Sequence, residues 1–313
     1  MTSSTPPTSA SVGHLPIAAV ERETGLGKDT LRVWERRYGF PTPIRDEHGN
    51  RAYPSEQVQR LRAIKRLLDQ GMRPGKVFTL SDAELEAQIN PSAAPECVPQ
   101  TIPASLALHW DYLTGHRNNE LRQIMTRDLA RLGVAGFLER VVVPMNDLIG
   151  QAWSSGEIQV FEEHLYTEVI TRVLRQGIGV VQEQHTQGRP IVLLTTLPGE
   201  SHGLGLLMAE AMLALHGAQC IPLGTQTPLL DIAAAASAHQ ADIVALSFSA
   251  YPSPKQVAQG VQGLLALLPE PTALWVGGSS AKLRDLGIAR LHVFGDLASI
   301  QDALDAWRLK HLN

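Results

Sequence analysis

Five short apolar runs, residues 191–196, 219–222, 243–247, 274–276 and 291–294, alternate with stretches of helical periodicity between Gly188 and Asn313. Runs this apolar at strand length are buried on both faces, and strands separated by helices join as parallel crossovers. This part of the chain is therefore predicted to be a doubly wound, Rossmann-like parallel sheet. Sheets of this kind bind ligands outside the carboxyl ends of their strands. The first run leads into Leu197-Pro198-Gly199-Glu200-Ser201-His202-Gly203-Leu204-Gly205, and residues 206–215 then read as a helix. A histidine thus falls in the loop where a strand hands over to a helix. The two glycines beside it let the backbone approach a bulky partner. Glu200 can accept a hydrogen bond from one ring nitrogen, so that the other can ligate a metal.

Positive charge is concentrated at the opposite end. Residues 14–80 hold 13 Lys and Arg against 8 Asp and Glu, which leaves 14 against 23 elsewhere within a net charge of −4. A segment with that balance suits polyanions. Inside it, residues 16–23 have a helical pattern, Gly25-Leu26-Gly27 makes a turn, and residues 28–38 give a second short helix. Two short helices about a glycine turn form a helix-turn-helix, whose second helix enters the major groove of DNA. In that helix Leu31 and Trp34 share the inward face, leaving Lys28, Arg32, Arg36 and Arg37 to reach phosphates or guanine edges. Two extended pieces around Gly49-Asn50 read as a wing, with Arg51 and Tyr53 placed to touch the DNA backbone.

Residues 104–186 carry helical periodicity broken at 114–115, 132–133 and 154–156, which predicts a four-helix bundle. Residues 81–103 collect Pro91, Pro95, Pro99 and Pro103 and have linker composition, while residues 1–13 are Ser, Thr and Pro and are expected to be a disordered tail. The expected architecture is therefore α plus α/β: a winged helix-turn-helix at 14–80, the bundle at 104–186 and the sheet domain at 187–313. A chain of 313 residues is long enough for several such domains.

Several function classes are excluded on residues alone. There is no apolar run of membrane-spanning length and no secretory leader pattern, and the only cysteines are Cys97 and Cys220. The expectation is a cytoplasmic protein with no membrane partner and no disulfide framework. Ser201 and Ser249 lack a nucleophile elbow, HExxH is absent, and the adjacent Glu162 and Glu163 point about 100° apart on a helix. No GxGxxG turn follows the first strand, which removes a nicotinamide site. The protein is not expected to be an enzyme.

The loop Glu200-x-His202-x-x-Gly205, with Ser247-Phe248-Ser249 ending the third run and Gly277-Gly278 ending the fourth, resembles the corrinoid (vitamin B12) binding domain. That resemblance implies that His202 is the lower axial ligand of cobalt, in place of the nucleotide base. It also implies that Ser247, Ser249 and the glycines line a tunnel for the displaced nucleotide tail. The commonest form of the motif has Asp where this chain has Glu200, which keeps the acceptor on a longer arm. At the other end, Thr30-Leu31-Arg32-x-Trp34-Glu35-x-Arg37-Tyr38-Gly39, the wing Gly49-Asn50-Arg51-x-Tyr53, and Val58-x-x-Leu61-x-x-Ile64-x-x-Leu67 resemble the MerR regulator family. By that resemblance Lys28, Thr30, Arg32, Arg36, Arg37, Tyr38, Arg51 and Tyr53 meet double-stranded promoter DNA.

Between them, Trp153 followed after nine residues by Glu163-His164 is similar to the signature of the CarH/LitR family of light-sensing regulators. The resemblance implies adenosylcobalamin as cofactor, with Trp153, Glu163 and His164 over its adenosyl group. It further implies a repressor that self-associates as a dimer or tetramer on DNA in the dark and lets go after photolysis. In the best-known member of that family a His directly follows the Trp and takes the cobalt after light; this chain has Ser154, and His164, His185 or water are left as stand-ins. Two further readings of the same residues are a cobalamin-independent regulator that senses another chromophore or partner, and a corrinoid carrier for a methyltransferase.

Overall fold

The computed structural model describes residues 14–46, 48–69, 72–81, 84–85, 102–183, 188–249, 254–278 and 287–311. The expected tail, most of the expected linker, and His185 lie outside the described residues. The chain divides into two compact units, Met1–Gln100 with Gln151–Glu157, and Thr101–Gly150 with Ile158–Asn313. No helix among the described residues is long and apolar enough to cross a membrane.

In the first unit, helices α1 (Ile17–Thr24) and α2 (Lys28–Tyr38) are separated at Gly25, whose φ of 67° is the left-handed conformation that glycine adopts without strain. The Gly25 N–H closes α1 on the Glu21 carbonyl at 2.9 Å. The wing is the antiparallel pair β2 (Ile44–Arg45) and β3 (Arg51–Pro54). A third strand, β1 (His14–Pro16), pairs along the other edge of β3 with Leu15 opposite Tyr53. Three residues ahead of a helix show no alternation, so the sequence gives no sign of it. Helices α3 (Ser55–Asp69) and α4 (Pro74–Val77) close the core, in which Val20, Leu31, Trp34, Tyr53, Leu61 and Ile64 are buried together. Leu85 is buried in the same cluster, so the packed head runs past the expected limit at residue 80.

The second unit begins with α5 (Ala107–Thr114), α6 (Asn118–Phe137), the part of α7 (Val143–Ser155) up to Gly150, and α8 (Val160–Gln182). Gly133, at φ 70° and ψ 175°, breaks α6 where the sequence places a break, and Leu138–Val142 then winds as one π-helical stretch. The sheet follows. Strands β4 (Ile191–Thr195), β5 (Gln219–Gly224), β6 (Ile243–Phe248), β7 (Ala273–Gly278) and β8 (Leu291–Val293) are all parallel, in the order β5-β4-β6-β7-β8. Helices α9 (Leu204–Leu215), α10 (Leu229–Ala238), α11 (Pro254–Leu267) and α12 (Ser299–His311) complete the doubly wound fold. Leu193, Val244, Leu246, Val261, Leu274 and Val276 share one core, which is why these strands read as unbroken apolar runs.

Helix α8 packs along α9, where Arg175 Nη1 reaches both carboxylate oxygens of the buried Glu210 at 2.7 and 2.6 Å. The bundle and the sheet domain, which the sequence separates near residue 186, accordingly form one compact unit.

Candidate functional site

The strand order fixes where a ligand goes. From β4 the chain moves to one side to make β5, and β6 lies on the other side of β4. The helices that follow β4 and β6 therefore leave a crevice outside the carboxyl ends of these two strands. The loop after β4 carries Glu200 and His202, and β6 runs into Ser249.

Four donors converge on one carboxylate there. Glu200 Oε1 accepts from the His202 backbone N–H at 2.9 Å and pairs with His202 Nδ1 at 2.6 Å. Its Oε2 accepts from the Ser249 N–H at 2.8 Å and the Ser249 hydroxyl at 2.7 Å. Glu200 is 3% exposed, and burial alone would raise its pKa. The bonds from Ser249 and His202 outweigh that effect and hold the carboxyl below the ordinary carboxylate range, so it stays an anion. An anionic acceptor on Nδ1 fixes the tautomer with the proton there and the lone pair on Nε2. The His202 side chain is 52% exposed. A buried, four-bonded carboxylate thus orients a half-exposed imidazole whose Nε2 carries the lone pair.

A cavity of about 710 Å³ opens beside this ring, and His202, Gly205, Ser247, Ser249, Gly277 and Gly278 all line it. The glycines do three different things. A Cβ on Gly205 would lie 2.7 Å from the Ser247 hydroxyl oxygen, so Gly205 permits a close helix-to-strand approach. Gly278 sits at φ 96°, and its Cβ would fall 1.9 Å from the Phe248 carbonyl oxygen. A Cβ on Gly277 would meet nothing within 4 Å, so there the missing side chain keeps the cavity open. Ser247 pairs in register with Gly277 across β6 and β7, which sets the hydroxyl beside the open wall.

Leu138 and Glu139 of the π-helical stretch also line this cavity. Neither carries a signal in the sequence that would place it at a site. A single π turn has no periodicity of its own, and the break at Gly133 is the one signal nearby.

Trp153, Glu163 and His164 are not among the residues that line this cavity. Trp153 is half-buried in the last turns of α7, within the short segment Gln151–Glu157 that groups with the first unit. Glu163 and His164 lie on the first turns of α8. Glu163 Oε1 accepts from the Thr167 hydroxyl at 3.1 Å, and its Oε2 is 3.5 Å from His164 Nε2.

In the head, α2 presents Arg32, Arg36 and Arg37 to solvent, with Lys28 and Thr30 half-buried. Arg32 pairs with Asp29 at 3.1 Å and Lys28 with Glu21 at 3.4 Å; Tyr38 stacks on Phe78 with ring centroids 4.3 Å apart. Tyr53 corrects the sequence reading. It is fully buried, and its hydroxyl donates to Glu35 at 2.7 Å while Arg51 Nε meets the other Glu35 oxygen at 3.0 Å. Burial and the Glu35 carboxylate push the Tyr53 hydroxyl far above its ordinary pKa, so it remains a neutral donor. Tyr53 ties the wing to α2 from a buried position, while Arg51 keeps partial exposure.

Residues 15–83 match the MerR HTH family regulatory protein model, and residues 110–176 match the B12 binding domain model. The chain is 28% identical over 276 residues to the HTH-type transcriptional repressor CarH of Myxococcus xanthus, covering 86% of this chain and 91% of that one. It is 28% identical over 273 residues to the HTH-type transcriptional repressor CarA of the same organism, with coverage of 86% and 88%. Among solved structures, the monomethylamine corrinoid protein of Methanosarcina barkeri superposes with a TM-score of 0.52 at 16% identity, covering 64% of this chain and 96% of that one. At that identity the likeness is one of fold.

Proposed function

We propose that the chain, whose residues 15–83 match the MerR HTH family model and residues 110–176 the B12 binding domain model, is a light-responsive repressor, holding promoter DNA as an adenosylcobalamin-dependent oligomer in the dark. The observation that carries the reading is the Glu200–His202–Ser249 cluster at the mouth of a cavity that Gly277 keeps open. The residues fit a corrinoid: one half-exposed imidazole on an anionic support, and beside it a roomy, largely apolar space with a hydroxyl in its wall.

His202 Nε2 would hold the cobalt of a bound cobalamin. Glu200 would keep the proton on Nδ1 and hold the ring plane. Ser249 holds Glu200 in turn. Ser247, Gly205, Gly277 and Gly278 line the space for the nucleotide tail. Trp153 would meet the adenosyl group, with Glu163 and His164 as its polar neighbours. When bound, adenosylcobalamin supplies a cobalt–carbon bond that visible light breaks.

In the head, Arg32, Arg36 and Arg37 meet phosphates and base edges, with Lys28, Thr30, Tyr38 and Arg51 beside them. Heads paired on one assembly raise each other's effective concentration at the operator. Light releases DNA only if the adenosyl-loaded chain prefers the assembled state by a few kcal/mol, since a ligand shifts an equilibrium only through differential affinity.

The test is mass by light scattering, together with occupancy of the protein's own upstream DNA, for chain loaded with adenosylcobalamin before and after green light. A larger assembly that holds DNA in the dark and loses both in light is expected. Constant mass and constant occupancy would remove the light switch while leaving the cobalamin site standing.

A further inference from the structure

Three non-glycine residues among the described ones adopt the left-handed backbone region: His116, Gln226 and Gln240. Glutamine is a poor occupant of that region. It lacks the short polar side chain that lets Asn or Asp bond its own backbone there, and such strain persists only where the surroundings over-determine it. Gln240 lies in the turn before β6, at the amino edge of the sheet, and His116 joins two bundle helices. Gln226, at φ 61°, lies at the carboxyl edge in the loop after β5, beside the loop that carries His202.

The over-determination is visible. Thr195, the last residue of β4, and Thr196 just after it, both fully buried, clasp the Gln226 loop. The Thr196 hydroxyl donates to the Glu200 carbonyl at 2.6 Å and accepts from the Gln226 N–H at 2.8 Å, so one oxygen joins the histidine loop to the strained residue. The Thr195 hydroxyl donates to the Gly224 carbonyl at 2.9 Å and lies 2.7 Å from the Thr227 hydroxyl. The Thr227 N–H donates to the Thr196 carbonyl at 3.1 Å. Thr225 comes so near the histidine loop that a Cβ built on Gly203 would lie 3.2 Å from its methyl. All this fixes a residue whose own side chain is exposed and, among the described residues, takes no hydrogen-bond partner within the protein.

We propose that Gln226 is a corrinoid-recognition residue, whose carboxamide pairs with the carboxamide side chains at the ring edge of a cobalamin seated on His202. The chemistry matches, because a primary amide offers one acceptor and two donors and two amides can bond reciprocally. The geometry matches as well, because the loop is clamped to the same threonine that holds the histidine loop. Glycine or asparagine would relieve the backbone, so folding alone does not select glutamine here. The inference rests on the cobalamin reading.

The test uses the full chain with Gln226→Asn and Gln226→Gly, hydroxocobalamin as the titrant, and the thermal midpoint of the apoprotein as a second readout. Both replacements accept the left-handed backbone, so the apo midpoint is expected to hold or rise. Loss of the long amide arm is expected to weaken hydroxocobalamin binding about fivefold, the scale of one or two neutral hydrogen bonds. Unchanged affinity in both variants overturns the proposal, and so does a fall of several degrees in both apo midpoints, which would mean that the glutamine serves the fold. The underlying reading fails separately, by wild-type chain that takes up no hydroxocobalamin.

Discussion

Adjacent glycines at the end of β7 should respond to the same substitution in opposite ways. Gly277 has open space where a Cβ would go and no positive φ, whereas Gly278 has a positive φ and a carbonyl oxygen 1.9 Å from the Cβ position. Replacing a glycine within a strand by a residue that its backbone accepts stabilises by about 0.5–1 kcal/mol, because the unfolded chain loses freedom. Gly277→Ala should therefore melt at or slightly above the wild-type temperature, and Gly277→Leu should remain folded. The leucine side chain places four carbons, on the order of 100 Å³ at interior packing density, inside a cavity of about 710 Å³. Forcing even one methylene into a filled, well-packed space costs about 1–3 kcal/mol, so Gly277→Ala should weaken cobalamin uptake about tenfold or more and Gly277→Leu should abolish it. Gly278→Ala cannot relax so simply, because its obstruction is backbone; it should lose several kcal/mol or fail to fold. The assays are thermal unfolding of the apoproteins by circular dichroism and calorimetric titration with hydroxocobalamin. Wild-type affinity in Gly277→Leu, or a normal melting temperature in Gly278→Ala, would refute the placement of the ligand and the reading of these two positions.

Other consequences follow from individual side chains. The Glu200 carboxyl lies below its unfolded pKa, so its contribution to stability is present above about pH 4.5 and lost as pH falls through the folded value. Glu200→Gln should flatten the acid limb of the urea midpoint between about pH 5 and 3, and an unaltered limb would show that the carboxylate is not held as described. His109 is buried against Asp128 at 2.9 Å, and burial lowers its pKa. The unfolded chain then binds the extra proton, so stability should fall as pH drops below about 6.5, with a slope of at most about 1.4 kcal/mol per pH unit; His109→Gln should reduce that slope, and no change would count against it. Arg36→Ala with Arg37→Ala should leave the melting curve unchanged and lower the salt dependence of DNA binding by about one unit of slope for each phosphate that is no longer neutralised. An unaltered slope would move the DNA-facing surface elsewhere.

Much of this was legible because burial and backbone demands leave marks in residue choice. Strands β4, β6 and β7 are buried on both faces, and their runs could hardly be read otherwise. Gly25, Gly39 and Gly133 mark the turns and the break because each sits at a positive φ. The histidine loop was found through residue types whose spacing suits one chemistry. What stayed hidden depends on partners distant in sequence. Tyr53 looks like a surface wing residue until Glu35, 18 positions earlier, is seen to take its hydroxyl inside. Strand β1 is defined by pairing with β3 and not by any pattern of its own. Leu138 and Glu139 reach the cavity through a π turn that no residue spacing announces. Gln226 carries its signal in a backbone angle, which a sequence does not display.

The claim on which the rest depends is that a nitrogen of His202 holds cobalt. Protein grown with ¹⁵N-labelled histidine, loaded with cobalamin and reduced to the paramagnetic cobalt(II) form, reports the axial nitrogen directly in its electron paramagnetic resonance spectrum. Each cobalt line is expected to change from a three-line to a two-line nitrogen splitting on labelling, and the labelled pattern is expected to vanish in His202→Ala. A three-line splitting that survives the label would show that the nucleotide base, and not this histidine, keeps the metal.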